Sequence, residues 1–346
     1  MERDPLSGKL PITLITGFLG SGKTTLIAKL LRHPGMSRAA VIINEIGEIG
    51  IDHDLVSTVN ENMSVLANGC ICCSVRTDLQ DSLRELFNER RAGNIPQFDR
   101  VIIETTGLAD PAPVVQTLVS DTLINAQFRL DGLVTLVDAY HAHDLFQRQP
   151  EAIKQVAMAD RIFISKTDLA SPDRLQELTD ELRALNPQAD LHPVVHGDLD
   201  PALLTGLGLK TAHAGDHTLS FLGEPLVVPS AELHQAEGKY LGSRPSRHDP
   251  AIRTLSVRFQ QPFKWTGFSS AMEMLTTLRG PDMLRVKGIV NVEGHPVVVQ
   301  GVQHIFSPPV ELSRWPSPDH DTRLVFITRN IAPETIRHLL SAVASL

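Results

Sequence analysis

"GFLGSGKTT" (residues 17–25) is the stretch from which the rest of this 346-residue chain is read. It fills the pattern G-x-x-x-x-G-K-[ST]. The apolar run "LPITLIT" (10–16) precedes it and a helical stretch follows, the strand-to-helix setting in which that pattern cradles phosphates. Gly17, Gly20 and Gly22 let the backbone bend round an anion without Cβ clashes. Backbone N–H groups from Gly20 through Ser21 to Thr25 then converge on the anion at a helix N-terminus. Lys23 supplies a point charge to the β- and γ-phosphates and so acts in catalysis, and the Thr24 hydroxyl is a ligand for Mg²⁺. The competing reading is a chance glycine-rich turn, which does not account for the setting at both ends.

Further apolar runs of strand length follow: "AAVIIN" (39–44), "SVLAN" (64–68), "RVIIETTG" (100–107), "GLVTLVDA" (132–139), "RIFISKTD" (161–168) and "LHPVVHGD" (191–198). Runs this continuous suit strands buried on both faces of a parallel sheet. Between them, "TDLQDSLRELFNERRAG" carries Leu79, Leu83, Leu86 and Phe87 at helical spacing. "SPDRLQELTDELRALNP" begins with Ser171 as an N-cap and Pro172 at the first helical position. The alternation predicts a doubly wound α/β domain, a P-loop NTPase parallel sheet, over residues 8–204. Residues 205–250 are rich in Gly, Pro, His and charge and read as a linker. Over 251–346 strands outnumber helices, which predicts a second, smaller α+β domain.

Net charge is −8, so neither a nucleic-acid face nor an anionic-membrane face is expected. The N-terminal residues contain no long apolar run after a basic start, which argues against a secretory signal or a membrane span. The three cysteines are packed together and form no disulfide framework, so a reducing cytoplasm is the expected compartment.

Four more stretches carry chemistry. "SKTD" (165–168) ends a strand on the edge where such sheets bind ligands. Asp168 there accepts from guanine N1–H and the 2-amino group, whereas adenine offers an acceptor at N1; GTP is therefore expected over ATP. Lys166 lays its alkyl stem against the base, and Ser165 opens the motif. "IIETTG" (102–107) places Glu104 at a strand end, to hold Mg²⁺ through water or to orient the attacking water. Gly107 follows as an N–H donor to the γ-phosphate; a purely structural carboxylate is the alternative. "NEIGEIGIDHD" (44–54) reads as a switch loop, with Glu45, Glu48 and Asp52 as candidate Mg²⁺ or transition-metal ligands, or as a solvated acidic loop. No arginine stands out as a stabiliser of the transition state, so slow intrinsic turnover is expected. "NGCICCSV" (68–75), read as the loop after the third strand, holds Cys70, Cys72 and Cys73. Thiolates suit Zn²⁺ or Cu(I), and C-x-x-C spacing lets Cys70 and Cys73 converge on one ion with Cys72 as a third ligand, leaving a fourth position for water, Glu48 or a partner's donor. Thiol exchange and a buried apolar turn remain the alternatives.

Together, "GFLGSGKTT", "NEIGEIGID", "NGCICCSV", "IIETTGLADP" and "SKTD", in this order, resemble the CobW family of P-loop GTPases, relatives of the nickel-insertion GTPases of urease and hydrogenase maturation. The resemblance spans nearly the whole chain, including a small C-terminal domain from residue 250 on. It implies a GTPase that binds Zn²⁺, or another transition metal such as Co²⁺ or Ni²⁺, and delivers it to a client metalloprotein. Gly17 to Thr25 become the GTP phosphate site, Glu104 the acidic position of an E-x-x-G element, and Cys70, Cys72 and Cys73 the metal motif. The base motif in much of this class begins with Asn; Ser165 stands there instead and leaves guanine selectivity to Asp168. The linker has scattered histidines rather than a long run, which argues against bulk metal storage. A homodimer is compatible with the resemblance. An ATP-dependent small-molecule kinase and a non-catalytic, metal-responsive GTP-binding module are the rival functions.

Overall fold

The computed structural model describes residue 6 and residues 8–43, 56–60, 63–66, 70–74, 78–209 and 251–344. Glu45, Glu48 and Asp52, the switch-loop candidates, lie outside the described residues, as does the predicted linker from residue 210 on. The chain divides into two units. One spans Gly8–Leu178 and Asp190–Gly208; the other spans Met1–Ser7, Thr179–Ala189 and Leu209–Leu346.

The first unit begins with β1 (Leu10–Gly17), α1 (Lys23–Arg32), β2 (Ala39–Ile43), β3 (Val56–Asn60), β4 (Met63–Leu66) and β5 (Ile71–Ser74). Then come α2 (Leu79–Ala92), β6 (Arg100–Glu104), α3 (Ala112–Ser120), α4 (Thr122–Gln127) and β7 (Phe128–Asp138). The remaining elements are α5 (Ala142–Arg148), α6 (Pro150–Met158), β8 (Arg161–Ser165), α7 (Pro172–Leu185), of which the part up to Leu178 belongs to this unit, and β9 (Asp190–Val194). Among the described residues they form one sheet in the order β3-β4-β5-β2-β6-β1-β7-β8-β9. From β5 to β9 every pair is parallel, whereas β3/β4 and β4/β5 are antiparallel, so "SVLAN", expected among the parallel strands, supplies residues of the half-buried antiparallel strand β4 instead.

The sequence supports this arrangement locally. Ile12, Leu14 and Ile15 of β1 and all five residues of β2 are buried, as strands covered on both faces require. Leu26, Ile27, Leu30 and Leu31 turn one face of α1 into the same core, each contributing about 1.5–3 kcal/mol on burial. Asp78 caps α2 by accepting from Gln80 N–H, and Gly93 closes it with φ 79°.

The expectation for the cysteine stretch needs correction here. The stretch "NGCICCSV" is not all loop: Ile71–Ser74 is itself the strand β5, paired with β2 in the register Val41–Cys72 and Ile42–Cys73. An Ile-Cys-Cys run without Gly or Pro is apolar enough to serve as a buried strand. Residues 205–208, at the start of the region read as a linker, pack with the first unit. Leu207 joins the core of the first unit, and the Gly206 and Gly208 N–H groups donate to the Asp131 carboxylate at 2.6 and 3.4 Å.

The second unit contains β10 (Ile252–Phe259), α8 (Trp265–Arg279), β11 (Met283–Val292), β12 (His295–Val302), β13 (Ile305–Phe306), β14 (Val310–Glu311), β15 (Thr322–Arg329) and α9 (Pro333–Ala344). Its sheet, ordered β10-β15-β11-β12-β13 with β14 beside β12, is antiparallel throughout. One face packs Val286, Leu324 and Phe326 against Phe268, Met272, Ile336 and Leu340 of the two helices. The other buries Ile289, Val298 and Val325 with Leu312. This is the smaller α+β domain the sequence predicts.

Candidate nucleotide site and cysteine strand

The β1–α1 connection is shaped by glycine where no other residue fits. Gly17 has φ 145°, and a Cβ there would lie 2.5 Å from the Leu136 carbonyl oxygen and 2.7 Å from Ser21 Oγ. At Gly107, in the turn after β6, a Cβ would lie 2.8 Å from Leu19 N, so this turn and the phosphate loop meet backbone to backbone. Between them lies a cleft of about 400 Å³ lined by Gly20, Gly22, Lys23, Thr24, Thr25, Glu104, Gly107 and Lys166, together with Leu19, Thr105 and Thr106. Eight predicted residues from three separated stretches thus share one cleft, at the N-terminus of α1 where the helix dipole favours an anion. Lys23 is buried, and its Nζ donates to Gly17 O at 2.6 Å and Phe18 O at 3.2 Å. Glu104 reaches the cleft because β6 pairs with β1 in the register Ile15–Glu104. Thr24 and Glu104 therefore offer a hydroxyl and a carboxylate on the same cleft, oxygen donors of the type that Mg²⁺ takes.

The "SKTD" residues divide between the phosphate loop, the cleft and the surface. Ser165 is buried and its hydroxyl donates to Ser21 O at 2.7 Å; it braces the phosphate loop. Lys166 adopts φ 55° and donates from Nζ to Asp138 Oδ2 at 2.6 Å. Asp168 is exposed, lies 4.0 Å from His196 Nε2 and lines neither this cleft nor the neighbouring one described next. That second cleft, of about 440 Å³, shares Leu19, Gly20 and Lys166 with the first and adds Asp138, His141, Asp144 and Arg148.

Asp138 went unrecognised in the sequence, although an acid closing the apolar run "GLVTLVD" is a detectable signal. Its carboxylate is 3% exposed and accepts from Lys166, the His141 ring, Tyr140 N–H and His141 N–H. Burial pushes its pKa up, but the hydrogen bonds from Lys166, His141 and Tyr140 outweigh this and hold it below the ordinary carboxylate value. A depressed folded-state pKa gives stability that is present at neutral pH. That stability is lost as the pH falls below the unfolded value of about 4 and through the folded one. Asp138→Asn should therefore flatten the acid limb of stability; thermal melts of both proteins from pH 6 to pH 3 should converge as the pH falls.

The cysteines are all buried: Cys70 is 0% exposed, Cys72 2% and Cys73 3%. Successive strand residues face opposite sides of a sheet. Accordingly Cys70 and Cys72 join the core cluster with Val41 and Ile102, while Cys73 lies outside it and feels Glu85. Burial pushes the Cys70 and Cys72 thiols up to about 12, with Cys72 adding to the shift at Cys70, and raises Cys73 as well. In the native protein at pH 8 these thiols should alkylate at least about a hundredfold more slowly than in the unfolded chain. Mass spectrometry of iodoacetamide time courses measures this. Among the described residues no group of three or more His, Cys, Asp or Glu side chains is arranged to hold a metal ion.

The family model described as "CobW/HypB/UreG, nucleotide-binding domain" matches residues 11–193, and "Cobalamin synthesis protein cobW C-terminal domain" matches residues 252–344. The chain belongs to the CobW/HypB/UreG family. CobW-family relatives match over almost its whole length. The zinc chaperone YjiA of Escherichia coli is 35% identical over 331 residues, covering 95% of this chain and 96% of its own. The zinc-regulated GTPase metalloprotein activator 1 of Schizosaccharomyces pombe is 31% identical, covering 97% and 84%. The crystal structure of the Zn(II)-bound YjiA GTPase from E. coli superposes with a TM-score of 0.76 at 34% identity, covering 97% of this chain and 99% of that one. Among the described residues of this CobW-family chain, no helix is long and apolar enough to cross a membrane.

Proposed function

We propose that this chain is a GTP-hydrolysing metallochaperone that binds zinc through Cys70, Cys72 and Cys73 and passes it to a client metalloprotein in step with its nucleotide state. The observation that carries the reading is the cleft where Lys23, Thr24, Glu104 and Gly107 converge on the helix N-terminus; the relatives that are named GTPases and zinc chaperones support it. In this reading Gly17, Gly20, Ser21, Gly22, Lys23, Thr24 and Thr25 hold the phosphates. Gly107 contacts the γ-phosphate, Ser165 and Lys166 support the site, and Asp168 selects guanine. Thr24, Glu104 and Asp52 hold Mg²⁺, which when bound neutralises charge on the β- and γ-phosphates. The 8–204 region is the GTPase domain, 205–250 the connection and 251–346 the small domain. The protein works in the cytoplasm, without nucleic acid or membrane, and a homodimer is compatible with the reading.

Zinc is the cargo, and the strand geometry sets a condition on its binding. With β5 in register beside β2, Cys72 and Cys73 face opposite sides, so one ion takes all three sulfurs, with Glu48 or a partner's donor as fourth ligand, only when β5 leaves that register. β2 leads directly into the switch-loop sequence (44–54), which gives the nucleotide a route to the cysteine strand. Multiple-turnover phosphate release from GTP tests the enzymatic half. Steady release that prefers GTP over ATP is expected, and release from ATP with transfer to an acceptor would overturn it.

A further inference from the structure

Gln155, in α6, is 1% exposed and grips the turn after β6 at two points. Its Nε2 donates to Gly107 O and to Ala109 O, both at 3.1 Å. Both partners are carbonyls, which accept only, so the nitrogen of the carboxamide must face them. The turn itself is closed by Ala109 N–H donating to Thr106 O at 3.0 Å. With Gly107 O drawn toward Gln155, the planar trans peptide sends the Leu108 N–H in the opposite direction. The backbone of Gln155 is fixed in turn, since its carbonyl accepts from Thr135 Oγ1 at 2.8 Å.

The far side of the same carboxamide points to a second partner. Oε1 is buried and has no hydrogen-bond partner among the described residues, and the same is true of Ser21 Oγ in the phosphate loop. Gln155 and Ser21 line one small cavity of about 10 Å³ together with Phe18, Val137 and Phe146. That is room for about one water-sized group, and a buried acceptor left without a partner is costly.

We propose that Gln155 is a positioning residue for GTP hydrolysis. It holds the 106–109 turn through its N–H groups and ties that turn to the phosphate loop through one water shared with the Ser21 hydroxyl. The inference rests on the GTPase reading and on Gly107 as the γ-phosphate contact. GDP does not reach the turn, so Gln155 separates the triphosphate from the diphosphate.

The test uses the full chain with Mg²⁺ and measures kcat, affinity for GDP and for a non-hydrolysable GTP analogue, and the melting temperature. Gln155→Met should keep GDP affinity within about twofold while kcat and GTP-analogue affinity each fall about tenfold. Gln155→Glu keeps the shape should the methionine variant not fold. It should be equally impaired at pH 8 and recover relative to wild type as the pH falls and its carboxyl gains the one proton it can donate. Combining Ser21→Ala with Gln155→Met should cost no more than Gln155→Met alone. Equal losses of GDP and GTP-analogue affinity, additive losses in the double variant, or an unaffected Gln155→Met would each overturn the inference and leave the GTPase reading standing. A wild-type chain that releases no phosphate from GTP overturns both.

Discussion

Replacing Lys23 by alanine lowers kcat for GTP hydrolysis by about a thousandfold, the scale of losing one preorganised electrostatic donor at the reacting group. The lysine is buried at the N-terminus of α1, where water screens its charge poorly, and it lies on the cleft shared with Glu104 and Gly107. The structural cost of the substitution is small. It removes the bonds to Gly17 O and Phe18 O, but Phe18 O also accepts from Ser21 N–H at 3.1 Å, so one carbonyl keeps a partner. A stability loss of about 1 kcal/mol follows, a shift of about 2–4 °C in melting temperature for a domain of this size. Phosphate release at saturating GTP, alongside a thermal melt, separates the two effects. A loss of less than about tenfold would remove Lys23 from the chemistry.

Gly17→Ala acts on the fold instead. The added Cβ would meet the Leu136 carbonyl at 2.5 Å, and that carbonyl belongs to β7, which pairs with β1 in the register Gly17–Leu136. The nearest partner is strand backbone rather than a flexible side-chain end, so two central strands must separate or the loop must move. The left-handed backbone adds a strain of about 1–3 kcal/mol. A total of about 3 kcal/mol or more is expected, a fall of about 6–12 °C in melting temperature. Gly20→Ala supplies the contrast: φ is 77°, but nothing lies within 4 Å of the added Cβ, so about 1 kcal/mol of strain is the whole cost. Equal melting temperatures for the two variants would refute the steric argument.

What was legible in the sequence followed from local physics. The phosphate loop could be read because its glycines, lysine and threonine act within nine consecutive residues. The parallel strands could be read because burial on both faces leaves unbroken apolar runs such as "AAVII" (39–43). Glu104 and Gly107 were legible as a strand end followed by a turn. The antiparallel strand β3, a mostly polar five-residue stretch, and the strand character of Ile71–Ser74 were not, since runs this short have no periodicity to tell strand from loop. Asp138 and Gln155 matter through partners 28 and 48 residues away, Lys166 and Gly107, a proximity that only the folded sheet creates. Ser165 was recognised as a motif position, yet its hydroxyl bond to Ser21, 144 residues distant, gives it a bracing role that spacing alone does not reveal.

The central claim is that nucleotide state and the cysteine strand are coupled, and Zn²⁺ titration of the full chain in two nucleotide states tests it most directly. Protein loaded with a non-hydrolysable GTP analogue and protein loaded with GDP are titrated against a competing chelator at fixed pH. A difference of at least about tenfold in zinc affinity between the two states, corresponding to about 1.4 kcal/mol of coupling, is the predicted result. Equal affinity in the two states would contradict the account.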